Sequence, residues 1–62
     1  MSPSDTLTAA KEILARRAAE PSFVVLVDNP ADCKSTINAF RQLGCKVKVE
    51  NDGTRLIIFR GA

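Results

Sequence analysis

Two hydrophobic spacings alternate along this chain. In MSPSDTLTAAKEILARRAAE, Leu7, Ala10 and Leu14 recur at helical intervals with Ile13 beside them, and Lys11, Glu12, Arg16 and Arg17 fall on a polar face. The spacing predicts a helix from about Pro3 to Ala18. Ser2 reads as its N-cap and Asp5 as a capping-box acid. Pro3 reads as the first helical residue, where a missing N–H costs nothing. Pro21 and Ser22 end the helix.

FVVLVD (23–28) is a continuous apolar, β-branched run, the pattern of a strand buried on both faces. NPADCKSTINAFRQLG (29–44) returns to helical spacing, with Cys33, Ile37 and Phe40 on one face. Asn29 is the expected cap, Pro30 the first helical position, Asp32 the box acid and Gly44 the stop. CKVKVE (45–50) alternates as a half-buried strand does, Asp52-Gly53 is a hairpin turn signal, and TRLIIFR (54–60) is the return strand. A two-residue turn sets Glu50 opposite Arg55, Val49 opposite Leu56 and Val47 opposite Ile58, so charges and apolar residues both find partners. Lys46 and Lys48 then share a face with Ile57 and Phe59.

The element order is α-β-α-β-β. A strand–helix–strand crossover predicts parallel strands, and the hairpin adds an antiparallel one. The expected fold is α/β, specifically an α+β two-layer sandwich with both helices on one face of a three-stranded mixed sheet. LIIF is the expected central strand and KVKVE the charged edge.

Sixty-two residues make a single domain, 1–62, with a thin stability margin. Three Phe without Trp or Tyr exclude a stacking platform for single-stranded nucleic acid. Nine basic and seven acidic residues give a net charge of +2, which permits a nucleic-acid partner without requiring one. No apolar run has membrane-spanning length and nothing resembles a signal peptide, so the cytoplasm is the expected location and no membrane partner is expected. The chain has two cysteines, Cys33 and Cys45, and no histidine, which excludes a self-contained zinc site and histidine-based nucleophilic catalysis. No cofactor is expected. The helix between the cysteines would hold their sulfurs about 15 Å or more apart, too far for a disulfide.

Ser-Pro opening a helix, then VVLVDNP, a helix ending in Leu-Gly, and VKVENDGTRLIIFRG together resemble the TusA/SirA family of small sulfur carriers, including its YedF-type members. The resemblance covers nearly the whole chain. It implies a β-α-β-α-β-β sandwich and a Cys-Pro-x-Pro motif opening the first helix. The motif cysteine carries a persulfide from a cysteine desulfurase toward a downstream sulfur acceptor, as in tRNA thiolation, with any tRNA contact indirect. Here the cysteine position falls on Ser2 and the second proline on Asp5, and only Pro3 matches. Serine caps a helix well but cannot form a persulfide.

The resemblance therefore implies a sulfurtransferase-like architecture without its carrier residue, acting by binding. In a second reading, Cys33 or Cys45 relays sulfur instead. Cys33 sits in the first turn of its helix, where a thiolate is favoured, although its spacing with Ile37 and Phe40 places it in the core. In a third, Lys46, Lys48, Arg55 and Arg60 on the hairpin form a basic surface for nucleic acid or protein. The family's first strand has no counterpart before Ser2. That leaves 23–28 as an exposed apolar edge, open to a homodimer or to a partner that supplies a strand. Ile57 and Phe59 would enlarge the adhesive area.

Overall fold

A computed structural model describes residues 3–61, apart from the side chains of Pro3 and Ser4. Two helices, α1 (Pro3–Arg16) and α2 (Cys33–Gln42), cover one face of a sheet formed by β1 (Ser22–Leu26), β2 (Lys46–Glu50) and β3 (Arg55–Phe59). This is the expected small α+β sandwich, with one correction to its sheet. The strand order is β1-β3-β2 and both pairings are antiparallel, so the sheet is not mixed. β1 and β2 do run parallel to each other, but β3 lies between them. The strongly apolar β3 takes the centre, where Leu56 and Ile58 are wholly buried. The hairpin register is as expected, with Val47 opposite Ile58, Val49 opposite Leu56 and Glu50 opposite Arg55.

Cross-strand partners share a face. Phe23, Val25, Val47, Leu56 and Ile58 meet the helices, and Phe40 of α2 sits among them at 1% exposure. Phe23 and Phe40 pack edge to face, their ring centroids 6.1 Å apart. Each such fully buried side chain contributes about 1.5–3 kcal/mol.

The β1 strand departs from its expected burial on both faces. Phe23 is buried and Val25 half-buried, while Ser22, Val24 and Leu26 are exposed, Leu26 at 74%. The helices cover one face only, so alternate residues of an apolar run meet solvent.

Local chemistry sets the helix boundaries. α1 ends at Arg16, short of Ala18, and the Arg60 guanidinium donates to Leu14 O in its last turn and to Arg17 O just beyond it. The second helical segment opens as a 3-10 turn, Pro30–Asp32, with Asn29 Oδ1 accepting from the Ala31 N–H at 3.0 Å. The Asp32 carboxylate makes no capping bond, so the expected box does not form. The Asp32 carbonyl instead accepts from the Ser35 and Thr36 hydroxyls, at 3.1 and 2.8 Å. At the other end, Gly44 takes φ +87°, the Gly44 N–H donates to Arg41 O and the Cys45 N–H to Phe40 O, both at 3.0 Å. This paired arrangement ends a helix in the left-handed region and carries Cys45 into the core. The hairpin connection is wider than two residues, since Asn51 and Asp52 also adopt positive φ, but the strand register is unchanged.

Candidate functional site

The residues singled out in the sequence do not converge. Ser2 lies outside the described residues. Pro3 is the first residue of α1. Cys33 opens α2, half-buried, with its Sγ 3.3 Å from where a Cβ on Gly53 would stand. Cys45 is buried at 8% exposure. Both thiols are free.

Lys46, Lys48 and Arg55 do share the helix-free face of the sheet, beside Val24, Ile57 and Phe59. Glu50 sits among them, 3.7 Å from Arg55 Nε and 4.0 Å from Lys48 Nζ. Arg60 is not part of this group. Its Nη2 donates to Leu14 O at 2.6 Å and Arg17 O at 2.7 Å, and its Nε donates to Glu20 O at 2.8 Å. A cation over the carbonyl end of a helix offsets the helix dipole there, so Arg60 ties β3 to α1.

A different feature stands out at the outer edge of β1. The Val27 N–H donates to Thr54 O at 2.7 Å, and the Arg60 N–H donates to Pro21 O at 3.0 Å. These bonds fix the parity of the ladder. Odd-numbered residues from Pro21 to Val27 face β3, while Ser22, Val24 and Leu26 turn their N–H and C=O groups to the open edge. The strand SFVVL carries no charge and no proline there, whereas the opposite edge, KVKVE, is guarded by three charges.

Alongside that edge runs a groove of about 230 Å³. Thr6, Ala9, Ala10 and Ile13 of α1 form one wall, and Val25, Leu26 and Val27 form the other. Phe40 also lines it. Where the chain turns from β1 toward α2 the lining becomes polar, with Asp28, Asp32, Ser35 and Thr36. Sequence reasoning anticipated the exposed edge but not the groove, whose walls come from three separate segments with no shared motif. Its volume falls below the ~300–1,000 Å³ of pockets that enclose small molecules.

Among the described residues no group of three His, Cys, Asp or Glu side chains is placed to hold a metal ion, and no helix is long and apolar enough to cross a membrane. No protein-family model, curated protein or solved structure gives a significant match to this chain.

Proposed function

We propose that this chain is a non-catalytic binding module whose β1 edge takes up an extended segment of a protein partner. The observation that carries this reading is the pairing of an uncharged, unprotected strand edge with an apolar groove along the same strand. Adding a strand there would satisfy the outward N–H and C=O groups of Ser22, Val24 and Leu26, and would place side chains in the groove.

The reading keeps the sulfur-carrier architecture that the sequence resembles and omits the transfer step. Ser2 stands at the carrier position. Neither thiol is well presented: Cys45 is buried, and Cys33 Sγ packs on the hairpin turn at Gly53. A cysteine desulfurase or a sulfur acceptor protein therefore enters as a docking partner. Two free thiols suit a reducing compartment such as the cytoplasm. A protein partner is favoured over nucleic acid because Arg60 is engaged with α1 and Glu50 offsets its neighbouring cations.

Self-pairing through β1 would give a homodimer. With outward-facing residues paired antiparallel about Val24, Asp28 of each copy would lie opposite Glu20 of the other, and like charges in that arrangement repel. A partner with a different sequence avoids this.

The test is selection of extended peptides from a displayed library against the whole chain, with Val24→Pro as control. The Val24 N–H points away from β3, so proline there removes an edge donor and leaves the internal ladder intact. Selected peptides should bind the parent protein and lose affinity for the variant. Peptides that bind both equally would refute edge docking. Concentration-dependent dimerisation, abolished by the same substitution, would replace the partner strand with a second copy.

A further inference from the structure

The chemistry of the groove also specifies its occupant, provided the edge-docking reading holds. We infer that the docked strand is basic at one end: it carries apolar side chains at alternate positions and a lysine or arginine where the groove meets Asp28 and Asp32.

The apolar requirement comes from the walls. Ala9, Ala10 and Ile13 face Val25 and Val27 across the groove, none of these side chains offers a hydrogen bond, and Thr6 is the one polar residue that α1 adds to the lining. Strand side chains alternate between faces, so only every second residue of the occupant reaches the groove.

The cation requirement comes from the polar end, which presents acceptors. Among the described residues the Asp28 and Asp32 carboxylates have no hydrogen bond or ion pair, whereas Glu20 pairs with Arg17, and Glu50 with Lys48 and Arg55. The Ser35 and Thr36 hydroxyl protons are engaged by the Asp32 carbonyl, so only lone pairs remain to meet a ligand. Two carboxylates and two accepting hydroxyls call for a donor-only, positively charged group, which is the chemistry of a Lys or Arg head. An acidic or acceptor-bearing residue there would be repelled. The walls select a strand, and the charges select its register.

The cation's position also reports direction. Asp28 follows the C-terminal end of β1. An antiparallel occupant therefore carries its cation before its apolar residues, and a parallel occupant carries it after them.

The experiment is the displayed-peptide selection run in parallel on the parent protein and on the Asp28→Asn/Asp32→Asn double variant. Both positions are exposed, so the double variant is expected to fold. Parent-selected peptides should share an alternating apolar pair with Lys or Arg at one fixed offset. A synthetic peptide of that consensus should bind the double variant roughly 5-fold more weakly. The deficit should shrink as salt is raised, because screening weakens the parent complex. Apolar peptides without a basic preference, bound equally by the double variant, would overturn this inference and leave edge docking standing. If every selected peptide is indifferent to Val24→Pro, edge docking fails, and the inference fails with it.

Discussion

Arg60→Ala offers the sharpest test of how the two layers are joined. The Arg60 guanidinium makes three hydrogen bonds to α1 and the turn after it, reaching Leu14 O, Arg17 O and Glu20 O. The bond to Leu14 O is partly buried and the other two are exposed. A hydrogen bond to a charged group contributes about 1.5–3 kcal/mol when sheltered and less when water competes. The helix-terminal charge adds roughly 0.3–1 kcal/mol, and ordering a long side chain opposes both gains. The expected net loss is about 2 kcal/mol. A chain of this size has only ~3–9 kcal/mol of total stability, so Tm should fall by roughly 8–16 °C. Circular dichroism melts and urea titrations read the change directly. Arg60→Lys should recover less than half, because an ammonium is a point donor and cannot span three carbonyls as a planar fork does. A loss below about 0.5 kcal/mol, or full rescue by lysine, would refute the assignment of Arg60 as the clasp between β3 and α1.

The two left-handed glycines should differ in what they tolerate. Gly44→Ala meets no neighbour within 4 Å and should cost only the backbone strain of its φ of +87°, about 1–2 kcal/mol. Gly53→Ala combines φ +90° with a Cβ 3.3 Å from Cys33 Sγ, so it should cost more. In a Cys33→Ala background the difference should close, and equal costs in the parent would show that the turn does not press on the thiol. Incubation with a cysteine desulfurase and free cysteine should leave the intact mass unchanged. A reducible gain of one sulfur, lost in Cys33→Ser or Cys45→Ser, would establish a relay and overturn the non-catalytic reading.

Much of this fold was legible because local signals agreed with one another. The 45–60 hairpin disclosed its register through paired charges and paired apolar residues, and the Asn29-Pro30 and Gly44 signals marked real boundaries. The failures share a cause: they depend on contacts distant in sequence. An apolar run such as FVVLVD does not say whether one face or both will be covered, because helices elsewhere in the chain decide that. LIIF was legible as the central strand, but the mixed sheet was not realised: β3 lies between β1 and β2, so the two parallel strands never pair and both ladders are antiparallel. Arg60 looked like one more cation on a basic hairpin. Its true setting, beneath the end of a helix more than forty residues earlier, is invisible to spacing. The groove was hidden for the same reason, since Ala9, Val25 and Thr36 become neighbours only after folding.

Amide hydrogen exchange followed by NMR, without and with a saturating selected peptide, tests edge docking most directly. In the free protein the amides of Val24 and Leu26 should exchange quickly, while those of Phe23 and Val25 are held by β3. On binding, Val24 and Leu26 should slow by tenfold or more, roughly 1.4 kcal/mol of added protection. Protection confined to the opposite edge, at the outward-facing amides of Val47 and Val49, or absent from β1 altogether, would contradict the claim that this molecule works by taking up a strand.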